Sequence, residues 1–99
     1  MSNTAGATKN VIIKVGERFD YSQHKSFRQG YEAHEYNRVE YRVDLSATTY
    51  MDSSALGMLL MLKEHADRTA SRVLLYRPQE SVKKVLSMAH FDKLFAIGN

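Results

Sequence analysis

An α/β domain, with helices packed on one face of a single mixed sheet of four or five strands, is predicted by three observations. Short runs of β-branched or alternating apolar residues are separated by longer segments with helical periodicity. After an opening pair of strands the two kinds alternate, in the order β-β-α-β-α-β-α-α, which favours one sheet with helices laid against it. The chain has 99 residues, room for one domain and a modest core.

Val11 to Val15 is predicted as the first strand because it is rich in β-branched residues. Gly16-Glu17 signals a turn, and Arg18 to Tyr21 reads as a short second strand. Ser22 is placed as the N-cap of a helix from Gln23 to about Tyr36, whose apolar positions are Phe27, Tyr31 and Ala33 to His34. Asn37-Arg38 ends it. Val39 to Leu45 alternates Val39, Tyr41, Val43 and Leu45 with Glu40, Arg42 and Asp44, the period of a strand with one buried face.

Ser46 to Ser53 is read as a loop. Ser54 to about Arg68 is dominated by Leu, Met, Ala, Lys and Glu, all good helix formers. At 100° per residue Ala55, Leu59, Leu62 and Ala66 form the core face, broadened by Leu56 and Leu60. Gly57, Met61, Glu64 and His65 fall opposite. Arg72 to Tyr76 is predicted as a buried strand. Pro78 suits the first turn of the next helix, which runs to about Met88 with Val82, Val85, Leu86 and Ala89 as its core face. His90 to Phe95 reads as a last helical turn, and Ala96 to Asn99 as an edge strand or a frayed end.

Residues 1–10 are small and polar and are expected to be a disordered leader, with the folded domain at 11–99. No apolar run approaches the roughly 18 residues of a membrane helix, so no membrane insertion is expected. The chain contains no cysteine, which excludes disulfides, thiolate metal sites and cysteine nucleophiles and suits a cytoplasmic setting. A net charge of +3, with basic residues scattered and Lys83-Lys84 the densest pair, does not suggest a nucleic-acid partner. His24, His34, His65 and His90 are dispersed and form no His-x-x-x-His pair, so no metal site is expected. The five glycines are isolated, so no phosphate loop and no cofactor are expected. Tyr31, Tyr36 and Tyr41 read as half-buried rather than base-stacking residues. Gly-x-Ser-x-Gly is absent, so the chain is not expected to be an enzyme.

The informative segment runs from Asp44 to Gly57. Asp44-Leu45-Ser46 closes a strand, and Met51-Asp52-Ser53-Ser54-Ala55-Leu56-Gly57 opens the strongest helix. The first N–H groups of a helix lack intrahelical partners, so a phosphate on Ser54 would meet donors and a favourable dipole. Gly57 leaves the surface open one turn further on. Capping alone also accounts for Asp52 and Ser53, since both types are favoured before a helix. Met61 is either a contact residue for a protein partner or half-buried under a neighbouring loop.

These residues closely resemble the signature of STAS domains, and more narrowly of the bacterial anti-sigma factor antagonists. The resemblance extends from Val11 to Phe95 and includes Phe19-Asp20 and Pro78. Ala55 departs mildly from the glycine of many members. The resemblance implies a STAS fold and a partner switch. A serine kinase of the histidine-kinase-like ATPase superfamily, acting as the anti-sigma factor, would phosphorylate Ser54, and a PP2C-type phosphatase would reverse it. Asp52, Ser53 and Gly57 would flank the site, and Asp20, Tyr21, Ser22 and Met61 would belong to the partner surface of a monomer. The alternative implied by the family is an accessory STAS subunit docked on the ATPase of a membrane transport complex. The family's last strand is expected to be short or missing.

Overall fold

The computed structural model describes residues 9–32 and 38–98. Ala33 to Asn37, which the sequence placed at the end of the first helix, lie outside them, as do residues 1–8 and 99.

Strand β1 (Lys9–Lys14) leads through the short strand β2 (Arg18–Phe19) and a 3-10 turn (Tyr21–Gln23) into helix α1 (His24–Glu32). Strand β3 (Val39–Asp44) and the short strand β4 (Tyr50–Met51) precede helix α2 (Ser53–Arg68). Strand β5 (Arg72–Tyr76), helix α3 (Glu80–Met88), a 3-10 turn (Phe91–Lys93) and strand β6 (Ala96–Gly98) complete the described order. The main sheet has four described strands in the order β1-β3-β5-β6, and β2 and β4 form a separate two-stranded ribbon.

The α/β class agrees with expectation, but the sheet is not mixed among the described residues. Every described pair is parallel. The cause is connectivity: α1, α2 and α3 each separate successive strands of the main sheet, and a helical crossover returns the chain in the same direction.

Side-chain alternation decides the two faces. Ile13, Tyr41, Val43, Val73 and Leu75 lie on the buried side, together with Val39, and Val11 packs against their cluster. Phe27 and Tyr31 of α1, Ala55, Leu59, Leu62 and Ala66 of α2, and Val82 and Leu86 of α3 complete one continuous core. Ile12, at 65% exposure, marks the opposite, uncovered face, where Glu40 bridges Arg42 at 2.8 Å.

Several boundaries move. Lys9 and Asn10 belong to β1, not to a leader, because their backbone pairs with Val39 and Glu40. Tyr21 leaves the second strand for the 3-10 turn. Pro78 is buried ahead of α3 rather than in its first turn, because Gln79 is extended (ψ 166°) and caps the helix. Leu60 does not broaden the core face: it is 44% exposed. His65 is not on the outer side; its Nε2 meets the Tyr41 hydroxyl at 3.2 Å, and its ring packs on Tyr31. The last strand is short but present, pairing Leu75 with Ile97.

Helices α2 and α3 end on residues in the left-handed region, Ala70 (φ 53°) and His90 (φ 61°). At Ala70 the Ser71 amide donates to Ala66 O at 2.8 Å and the Ala70 amide to Asp67 O at 3.4 Å, so the last carbonyls of α2 are satisfied without a glycine.

Candidate functional site

The site is built on the β2–β4 ribbon. Phe19 and Met51 are paired and buried, so the residues that follow them, Asp20 and Asp52, leave the ribbon side by side. The Asp52 amide still reaches Phe19 O, at 3.4 Å. Behind the ribbon the Thr48 hydroxyl, fully buried, donates to Gly16 O at 2.8 Å. The Gln79 side-chain amide donates to Ser46 O at 2.8 Å. These bonds hold the 46–49 loop and therefore the start of α2.

Asp52 is the N-cap of α2. Its backbone is extended, and its Oδ1 accepts from Ser54 N at 3.0 Å and Ala55 N at 3.3 Å. The same oxygen accepts from Ser54 Oγ at 2.6 Å. This corrects the expectation of free donors: the first amides of α2 are already engaged by Asp52, and a phosphate on Ser54 would have to displace that carboxylate. The helix also begins one residue earlier than expected, at Ser53, because Asp52 and not Ser53 is the cap.

Asp20 caps the neighbouring turn in the same way, accepting from Ser22 N at 3.1 Å and Ser22 Oγ at 2.5 Å. Ser22 is therefore a donor to the cap and not the cap itself, as the sequence had placed it. The Ser22 hydroxyl, together with the Ser22 amide and Arg18, holds the Asp20 carboxyl below its ordinary range. Arg18 Nε lies 3.2 Å from Asp20 Oδ2, and its guanidinium sits 4.3 Å from the centre of the Tyr50 ring.

Along α2, Ser54, Gly57, Met58 and Met61 stand at positions i, i+3, i+4 and i+7, the repeat of a single helix face. Ser53 is exposed and Ser54 half-buried. A side chain at Gly57 would meet nothing within 4 Å. Met61 is 57% exposed and so is not half-buried under a neighbouring loop. It lines a small groove of about 50 Å³ with Met58 and with His24, Phe27, Arg28 and Tyr31 of α1. Tyr21 is 66% exposed, its ring stacked on His24 at 4.5 Å. The ribbon thus sets Asp20 beside Asp52, with Ser22 and Ser54 each bonded to its own aspartate, while Tyr21 stacks on His24, which lines the groove with Met61.

Sequence reasoning missed the other flank. A shallow groove of about 350 Å³ runs between α2 and α3, with Ser53, Leu56, Val85 and Met88 in its lining. Met88, at 81% exposure, is its most open large hydrophobic residue. A signal was available: on a helical wheel Met88 falls well away from Val82 and Leu86. β4 was also missed, because two residues carry too little alternation to read. Among the described residues, no group of three His, Asp or Glu is placed to hold a metal ion, and no helix is long and apolar enough to cross a membrane.

A family model described as "Mlab, STAS domain" matches residues 2–97. A STAS-domain containing protein of Pseudomonas aeruginosa is 39% identical over 89 residues, covering 90% of this chain and 88% of that one. Among solved structures, a candidate anti-sigma factor antagonist of Thermotoga maritima aligns with a TM-score of 0.77 at 20% identity, over 96% of this chain and 83% of the other. A sulfate transporter family protein of Wolinella succinogenes aligns at 0.82 with 10% identity, over 96% and 80%. The unphosphorylated anti-sigma factor antagonist SpoIIAA aligns at 0.75 with 18% identity, over 97% and 85%. At these identities the structures establish the fold, while the family model and the Pseudomonas relative establish the family: this chain belongs to the STAS domain family.

Proposed function

We propose that this protein is a partner-switching regulator of the anti-sigma factor antagonist kind, a binding protein and not an enzyme, acting in the cytoplasm. Unphosphorylated, it binds a cognate anti-sigma factor that is also a serine kinase of the histidine-kinase-like ATPase superfamily. Phosphorylation of Ser54 ends that binding, and a PP2C-type phosphatase restores it. Asp52, Ser53 and Gly57 flank the modified serine, and Asp20, Tyr21, Ser22 and Met61 extend the partner surface.

Gly57 carries the reading. Glycine in a helix interior costs about 0.5–1 kcal/mol relative to alanine. Nothing in the fold asks for that cost, since a Cβ at this exposed position would meet nothing within 4 Å. A bare backbone one turn beyond Ser54 suits close approach by another protein. The switching energy is also of the right size. Reversing a 1:99 equilibrium takes about 5.5 kcal/mol, and a dianion introduced beside the Asp52 carboxylate in a desolvated interface opposes binding by several kcal/mol.

The test is phosphate-affinity electrophoresis of the protein from its own cells, wild type against Ser54→Ala. A retarded band that the substitution abolishes is expected, together with retained partner binding by Ser54→Ala and weakened binding by Ser54→Asp. Equal affinities for the two variants would refute the switch. The likeness in fold to a sulfate transporter family protein supports a second reading, an accessory subunit docked through the same helix on the ATPase of a membrane transport complex. That subunit would copurify with an ATPase and show no phosphate-dependent charge state at Ser54.

A further inference from the structure

We infer that Met61 and Met88 are methionine-oxidation sites through which hydrogen peroxide loosens the docking of the kinase on α2. The inference rests on the reading of α2 as the docking helix and adds a control that does not pass through the Ser54 hydroxyl.

The chain has no cysteine, so thioethers are its only sulfur. The four methionines among the described residues divide into two kinds. Met51 is buried in the ribbon against Phe19, and Met58 is half-buried against the core. Met61 and Met88 are exposed, and neither belongs to the core cluster. Sulfur oxidation follows access, so an oxidant arriving from solvent reaches these two first.

Position gives the product a consequence. A groove runs along each flank of α2, and each is walled by one of these side chains. Met61 shares the α1 groove with Met58, Phe27 and Tyr31. Met88 shares the α3 groove with Leu56 and Val85, near Ser53 at the start of the helix. An unbranched, polarisable thioether adapts to an apolar partner surface. A sulfoxide does not: a partner covering it strips water from the new oxygen and leaves a buried acceptor without a donor. Because neither side chain fills the core, the modification leaves the fold intact.

In the reaction a sulfur lone pair attacks one peroxide oxygen. The S–O bond forms and the O–O bond breaks. The departing hydroxide takes the proton from the sulfur-bound oxygen and leaves as water. The sulfur loses two electrons and the peroxide gains them. A methionine sulfoxide reductase, with a dithiol as reductant, restores the thioether.

The experiment gives the protein's own cells a pulse of hydrogen peroxide. Wild type is compared with the double variant Met61→Leu, Met88→Leu, whose apolar side chains cannot form a sulfoxide. Tryptic cleavage after Lys84 and Lys93 isolates Met88, while Met51, Met58 and Met61 share the peptide from Val43 to Lys63 and are separated by fragmentation. Each sample is also run on phosphate-affinity electrophoresis against its own untreated control, and purified wild type is unfolded in denaturant before and after peroxide. The expected result is a gain of about 16 Da at Met61 and Met88 before Met51 and Met58. The unfolding midpoint should not move. The Ser54-dependent retarded band should be lost in wild type after the pulse, while the double variant keeps its untreated level. Sulfoxide spread evenly over the four methionines overturns the inference, as does a lowered midpoint or an equal loss of the band in both proteins. Each of those results leaves the Ser54 switch standing. Absence of a retarded band before the pulse removes the Ser54 switch, and the inference falls with it.

Discussion

One face of α2 buries Ala55, Leu59, Leu62 and Ala66, while the adjoining face carries Ser54, Gly57, Met58 and Met61 half-exposed or exposed. The same backbone serves both, yet the residue choices obey different rules. The inner face holds aliphatic side chains that fill the space over β3 and β5. The outer face accepts a helix-weakening glycine and a solvent-exposed methionine, neither of which improves the fold. The buried set is therefore explained by stability, whereas Gly57 and Met61 are not.

The largest expected effect lies on the inner face. Leu62 is fully buried within the single core, so Leu62→Ala removes apolar contacts and leaves a cavity. A loss of about 2–5 kcal/mol is expected from denaturant unfolding. A loss below about 1 kcal/mol would mean that the core collapses around the gap and that the inner face is less tightly specified than its burial indicates.

Gly57→Ala sharpens the contrast from the other side. The new methyl group has open space and removes the entropy cost of glycine, so the free protein should gain about 0.5–1 kcal/mol. Partner affinity should fall at the same time, because the methyl occupies the surface one turn from Ser54. Gain of stability with unchanged binding would strip Gly57 of its proposed role and, with it, the main support for α2 as the docking helix.

The inner face was legible in the sequence, because burial in a helix leaves a 3.6-residue period and Ala55, Leu59, Leu62 and Ala66 follow it. The central strands were legible for the same reason: Val39 to Asp44 alternates without a break, and Arg72 to Tyr76 matches its predicted bounds. The ribbon that builds the site was not. Its strands have two residues each, and their pairing joins positions about 30 residues apart, which no local pattern encodes. Asp52-Ser53-Ser54 was visible as a motif, but the carboxylate that engages both the Ser54 hydroxyl and the first amides of α2 is a matter of side-chain geometry. Pro78 misled because a favoured N1 residue is also tolerated before a cap, and the extended Gln79 took the cap position.

The smallest expected effect tests the fold-serving side through charge. Asp44 ends β3, and its carboxyl is held below the ordinary value of 3.8 first by the Ser46 amide, which donates to Oδ1 at 3.0 Å, and then by the Ser46 hydroxyl. Lys14 and Arg77 add to this, against a small opposing effect of burial. A carboxyl whose folded pKa is depressed binds its proton more readily in the unfolded chain. Its stabilising contribution is thus complete above the unfolded value near 3.8 and fades as pH falls through the lower folded value. Asp44→Asn should be slightly less stable than wild type near neutrality and should lose less on acidification, so that the two stability curves converge at low pH. Asp20 shares the depressed direction but serves the rim beside Ser54. If Asp44→Asn leaves the acid limb unchanged while Asp20→Asn flattens it, the acid-sensitive stability belongs to the docking rim rather than to the strand end. The division of labour drawn from the two faces of α2 would then not extend to the molecule's charged groups.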